Sequence, residues 1–141
     1  CAPQAQRISQ TQSGYPQVYI DGVSANKMKS MFVTALTGRG FLVESDTGYQ
    51  VTFSLAMDSS EAAGKKFAAN FIDGSGGDNY RHEVIVIFNE IRTGVQIIIR
   101  QFYSYDQKNG SRKRVEVRDN EAFNAWQSEL IYLRDKIKAR Q

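Results

Sequence analysis

His82 is the single histidine of this 141-residue chain, so the sequence offers one imidazole for acid–base or metal chemistry. It lies between Arg81 and Glu83, directly before an apolar run. Zinc sites built on two histidines are excluded, and the G-x-S-x-G motif of a serine nucleophile is absent. We therefore expect His82 to be structural or solvent-facing, and we predict a non-catalytic protein that binds no cofactor and no metal.

A glycine-rich stretch from Asp73 to Asp78, DGSGGD, places Ser75 and two carboxylates in one loop. A phosphate-binding P-loop would need a lysine after its glycines, and a calcium loop would need its oxygen ligands at alternate positions. Neither pattern is present. The stretch is predicted to be a mobile turn, with a weak cation site as the alternative.

Aromatic and basic residues are interleaved between positions 100 and 114, RQFYSYDQKNGSRKR. Tyr103 and Tyr105 share one face of a predicted strand and could stack on the bases of single-stranded nucleic acid. The net charge of +3 is too small and too dispersed to favour that function, so nucleic-acid binding is the alternative reading. The basic side chains are instead predicted to project at a hairpin tip and to bind a partner: Lys108, Arg112, Lys113 and Arg114.

Two helices are predicted from apolar side chains at helical spacing. The first covers residues 25–38, with Ser24 as its N-cap and glycine at its end. The last begins after Asp119-Asn120 and carries an apolar stripe from Phe123 to Ile137. Residues 59–72 have weaker helical spacing, interrupted by Gly64, which predicts a short helix or an ordered loop.

Alternating or continuous apolar runs predict strands over residues 17–20, 41–44, 49–57, 83–90, 95–105 and 112–118. Tight turns between most of them favour antiparallel pairing. The predicted fold class is α+β, a two-layer sandwich in which two helices cover one face of a mostly antiparallel sheet. Residues 1–16 are mostly polar and are predicted to form a flexible tether, and 17–141 to form a single α+β domain.

Cys1, the single cysteine, and Ala2 are followed by this polar stretch, and the arrangement resembles a mature bacterial lipoprotein. The resemblance implies a cleaved signal peptide, diacylglycerol and palmitate-type acyl chains on Cys1, and an outer-membrane location with the domain in the periplasm. An arbitrary chain boundary at Cys1 is the alternative. The order of elements over residues 17–140 is similar to the helix-grip or TATA-binding-protein-like domains of periplasmic lipoproteins. That resemblance implies an accessory or scaffold subunit of a cell-envelope complex with protein partners.

Overall fold

The computed structural model describes residues 6–74 and 76–141, together with all side chains in those ranges except those at positions 68, 69 and 71–73. Three α-helices and six β-strands make up the described chain. The strands are β1 (Gln17–Asp21), β2 (Leu42–Asp46), β3 (Gln50–Ala56), β4 (Asp78–Ile91), β5 (Gly94–Asp106) and β6 (Arg112–Glu116). The helices are α1 (Ala25–Gly38), α2 (Ser59–Asp73) and α3 (Asn120–Ala139).

All strand pairs are antiparallel, and the sheet order is β1-β5-β4-β3-β2, with β6 beside the second half of β5. β5 is long enough to hold two partners on one edge. Its first residues pair with β1, where Ile98 lies opposite Gln17, and its last residues pair with β6, where Phe102 lies opposite Glu116. The structure confirms the predicted α+β class with an antiparallel sheet.

Alternation along the strands divides the sheet into a helical face and an open face. On β4 and β5 the helical face carries Val84, Val86, Phe88, Val95, Ile97 and Ile99, which are buried against α1 and α3. Phe32 of α1 meets Phe88 edge-on, with ring centroids 5.5 Å apart. α2 lies over the far end of the same face, so three helices cover it where two were predicted.

The predicted helix ends agree with the structure because both are set by local caps. The Ser24 hydroxyl accepts a hydrogen bond from the Lys27 backbone N–H at 3.1 Å, and α1 spans the predicted residues. The Asp119 carboxylate accepts one from Ala122 N–H at 3.0 Å at the start of α3. α2 is a full helix of 15 residues, and Gly64 lies inside it without interrupting it.

The stretch from Gln6 to Pro16 differs from the flexible tether that its composition predicts. The Arg7 guanidinium donates to Asn120 Oδ1 at 2.9 Å and lies 4.3 Å from the centroid of the Phe123 ring. Asn124 accepts from Ile8 N–H at 2.8 Å and donates to the Gln6 carbonyl at 2.7 Å. These contacts attach the stretch to the start of α3. Cys1 lies outside the described residues.

The end of the glycine-rich stretch also differs from the predicted mobile turn. Gly76 and Gly77 are buried, and a side-chain carbon on Gly77 would overlap the backbone of Asp106 on β5. Asp78 pairs with Lys66 of α2 at 3.2 Å. The close approach of two backbones requires glycine here. Ser75 and the Asp73 side chain lie outside the described residues.

Candidate functional site

The four residues of the predicted basic tip are separated in the structure. Lys108 is exposed in the turn between β5 and β6, while Arg112 and Arg114 lie along β6 and reach over the open face of the sheet. Lys113 alternates to the other side of that strand. The four therefore do not form one projecting cluster, because a strand sends consecutive side chains to opposite faces.

Glu83 on β4 is the group that holds Arg112 and Arg114. Glu83 is buried, with only 3% of its surface exposed. The Arg114 guanidinium donates to both carboxylate oxygens, from Nε at 3.1 Å and from Nη2 at 3.0 Å, which is the two-pronged geometry of a strong ion pair. Arg112 Nη2 donates to Ser104 Oγ at 2.8 Å and lies 3.9 Å from the Glu83 carboxylate.

Opposing effects act on the pKa of Glu83. Burial raises it, since a charged carboxylate is disfavoured away from water. Hydrogen bonds from Arg114 and Ser104, together with the charges of Arg114 and Arg112, outweigh burial and leave the pKa below its usual value. Glu83 is therefore ionised at neutral pH and fixes two guanidinium groups on the open face.

Guanidinium groups and aromatic rings follow one another across this face. Arg118 lies 5.2 Å and Arg100 5.1 Å from the centroid of the Tyr15 ring. Arg100 and Arg114 each lie 5.1 Å from the centroid of the Phe102 ring. We call this series, Arg118–Tyr15–Arg100–Phe102–Arg114, the arginine–aromatic ladder.

The charges along the ladder are only partly balanced. Arg100 donates from Nε and Nη2 to Glu116 Oε1 at 3.3 and 3.1 Å, and Arg114 is bound to Glu83. Arg118 is exposed and has no ion pair among the described residues. Guanidinium N–H groups that are not used internally can bind carboxylates from outside the chain.

Tyr105, one of the two rings that the nucleic-acid alternative would use as a stacking platform with Tyr103, is buried in the structure. Tyr105 is 2% exposed and stacks on Tyr80 with ring centroids 4.7 Å apart, and Tyr103 lies 6.4 Å beyond it. The Lys65 ammonium covers Tyr103 at 4.4 Å from its centroid. Lys65 of α2 thus covers Tyr103, and burial of Tyr105 leaves that ring unable to receive a base.

His82 forms a hydrogen bond of 2.8 Å between its Nε2 and Glu61 Oε1 of α2. The pair lies at the side of a groove on the helical face between α2 and α3. Within the described residues no serine, threonine or cysteine side chain is hydrogen-bonded to His82, so the pair lacks an adjacent nucleophile.

The sequence predicts no serine nucleophile, but Ser24 and Lys27 do have the S-x-x-K spacing of some such sites. In the structure the Ser24 hydroxyl accepts from the Lys27 backbone N–H, and this contact is a helix cap. Among the described residues no three His, Cys, Asp or Glu side chains are grouped to hold a metal ion. None of the described helices is both long and apolar enough to cross a bilayer.

No protein-family model matches the chain, and comparison with curated proteins and with solved structures gives no significant match.

Sequence reasoning missed most of the ladder. Glu83 in an apolar strand and the i, i+2 spacing of Arg112 and Arg114 were signals of a charged cross-strand contact. Tyr15 carried no such signal, because it lies in a polar stretch far along the chain from Arg100.

Proposed function

We propose that this chain is a non-catalytic accessory domain of a cell-envelope complex and that it binds an acidic segment of a protein partner on the arginine–aromatic ladder. The observation that carries the proposal is the ladder itself, on a sheet face that no described helix covers. Its three arginines and the adjacent Arg112 outnumber the two carboxylates that contact them, Glu83 and Glu116.

The arrangement of the ladder supports binding rather than catalysis. Stacking on rings and pairing with Glu83 restrict the guanidinium groups, which reduces the entropy lost when a partner binds. Carboxylates on that partner would match the excess positive charge and the forked donors of arginine. The envelope setting and the lipid on Cys1 belong to the proposal through the resemblance of Cys1 and Ala2 to a lipoprotein.

The test compares two charge reversals. Arg118→Glu changes the exposed end of the ladder. Arg134→Glu makes the same change in net charge on α3, where Arg134 forms a hydrogen bond with its neighbour Asp135 and lies away from the ladder. A fluorescein-labelled hexaglutamate peptide is the probe, and its anisotropy measures binding at low and at moderate salt. We expect Arg118→Glu to weaken binding about fivefold, and Arg134→Glu to change it less than twofold.

Equal weakening by both variants would mean that only net charge matters, and no weakening by either would remove the ladder from binding. Both results contradict the proposal. Single-stranded oligothymidylate could instead bind more tightly than the peptide and lose that binding in Arg118→Glu. This result would favour the nucleic-acid alternative, with the ladder rather than Tyr103 and Tyr105 as the binding surface.

A further inference from the structure

The groove on the helical face has features that the proposed function does not use. It holds a cavity of about 300 Å³, the lower end of the size range of small-molecule sites. The strands β4 and β5 form its floor, and α2 and α3 form its walls. Most of its lining is apolar, including Phe41, Met57, Val84, Val117, Ala122 and Trp126.

Two charged side chains of α2, Glu61 and Lys65, line this groove four residues apart. That spacing allows an ion pair along a helix. They form none with each other, because Glu61 is hydrogen-bonded to His82 and Lys65 lies over Tyr103. Each has turned toward the sheet, into the groove.

Lys65 is the charge in the groove without a carboxylate partner. It is half-buried, and among the described residues no carboxylate lies within ion-pair distance of its ammonium group. The next residue, Lys66, pairs with Asp78 at 3.2 Å and does not line the groove. A cation beside apolar walls favours a ligand that brings a negative charge on an apolar body.

We propose that this groove binds a small apolar monocarboxylate, whose carboxylate accepts hydrogen bonds from the Lys65 ammonium and whose apolar part lies against Trp126 and Met57. The Glu61–His82 pair excludes a second negative charge at the other side of the groove. This cavity opens on the helical face, whereas the ladder lies on the opposite face of the same strands, which also contribute Glu83 and Phe102 to the lining of the cavity. The inference does not depend on the proposed function.

Trp126 is the only tryptophan, so its fluorescence reports binding in the groove without interference from another indole. The probe is 4-phenylbutyrate, and 4-phenylbutanol has the same apolar body without the charge. We expect saturable quenching or a spectral shift with the carboxylate, and at least about tenfold weaker binding of the alcohol, as expected for loss of a charge-assisted hydrogen bond.

Two matched variants assign the contact. Lys65→Met should weaken 4-phenylbutyrate binding about tenfold and leave binding of the alcohol unchanged. Lys66→Met removes the same charge from the same helix but should leave both affinities within twofold. Because Trp126 also borders a second groove, of about 320 Å³, between α1 and α3, it is the Lys65 effect that locates the ligand.

A response to neither probe overturns the proposal, as does a preference for the carboxylate that persists in Lys65→Met. Equal losses in Lys65→Met and Lys66→Met would show that only the charge of α2 matters, which also overturns it. Failure of hexaglutamate to bind the ladder would not change the expected result here, so the two proposals fail separately.

Discussion

Glu83 shows how one buried charge arranges a surface. A carboxylate that is 3% exposed would be unfavourable alone, yet it accepts two hydrogen bonds from Arg114 and has Arg112 within 3.9 Å. The two arginines are about half exposed, so their outer N–H groups remain in contact with water. The main role of the carboxylate is therefore to orient the two arginines on the surface, rather than to stabilise the buried core.

Glu83→Gln is expected to destabilise the domain at neutral pH. The substitution leaves Arg114 without its carboxylate partner and replaces hydrogen bonds between charged groups. Because the arginines are partly solvated, we expect the free energy of unfolding to fall by only about 1–3 kcal/mol. Urea unfolding at pH 7 measures the loss. Glu129→Gln, which removes an exposed carboxylate 3.6 Å from Arg39, should change stability by less than about 0.5 kcal/mol.

The pH dependence has a definite sign. Because folding lowers the pKa of Glu83, its stabilising contribution is complete above the unfolded-state pKa of about 4.3 and is lost as the pH falls through the lower folded-state value. The difference in stability between the native protein and Glu83→Gln should therefore shrink below about pH 4. A difference that is the same at pH 7 and pH 3 would contradict the role given to the ionised carboxylate.

Single residues were the hardest features to predict from the sequence. Lys108, Arg112, Lys113 and Arg114 were expected to act together because they are close in sequence. Their separation follows from strand alternation, and the attraction of Arg114 to Glu83 follows from the pairing of β4, β5 and β6, which local patterns do not encode.

At the scale of elements, prediction was accurate where the signals are local. α1 and α3 were predicted from apolar spacing and capping residues that lie within a few positions of each other, and both caps are formed. The stretch from Gln6 to Pro16 has no such pattern. Its structure depends on contacts with Asn120, Asn124 and Ile99, which are distant in sequence.

Attachment of this stretch to α3 can be tested with trypsin, because Arg7 is the only lysine or arginine before Lys27. Its guanidinium is hydrogen-bonded to Asn120 and to the Gly14 carbonyl at 2.7 Å, so cleavage after Arg7 should be slow. Asn120→Ala/Asn124→Ala removes two of the side chains that hold the stretch and leaves the cleavage site intact. We expect cleavage after Arg7 to be at least about fivefold faster in the double variant.

Mass spectrometry of timed digests follows the loss of residues 1–7. Cleavage in the turn at exposed Lys108 provides the internal reference, since neither substitution is near it. Equal rates after Arg7 in the native protein and the double variant would show that these contacts do not restrain the stretch.

Considered as a whole, the molecule has two opposite surfaces of different chemistry. The helical face contains the core and an apolar groove in which, among the described side chains, Lys65 has no carboxylate partner, and the open face contains the ladder. Tyr15 links the N-terminal stretch to the ladder, because its ring lies near both Arg100 and Arg118. Any anchor on Cys1 would therefore hold the domain by a short connection, since Gln6 is already bound to Asn124.

The length of that connection limits how far the domain could lie from a lipid anchor on Cys1. The chain from Cys1 to Gln6 spans at most about 17 Å when fully extended, compared with about 50 Å if all of residues 1–16 were free. Two or more acyl chains on Cys1, each contributing about 0.8 kcal/mol per buried CH₂, would hold the domain stably at a bilayer. We expect the protein isolated from native membranes to have an intact mass that exceeds the polypeptide by a diacylglyceryl group and acyl chains. The Cys1→Ser variant of the full-length precursor should be lost from the outer-membrane fraction.

A high-salt wash distinguishes this lipid anchor from attraction of the ladder to anionic lipid. Salt releases a protein that is held by charge and leaves a lipid-anchored protein bound. A native mass equal to that of the bare polypeptide would contradict the lipid anchor, and the outer-membrane location would be lost with it.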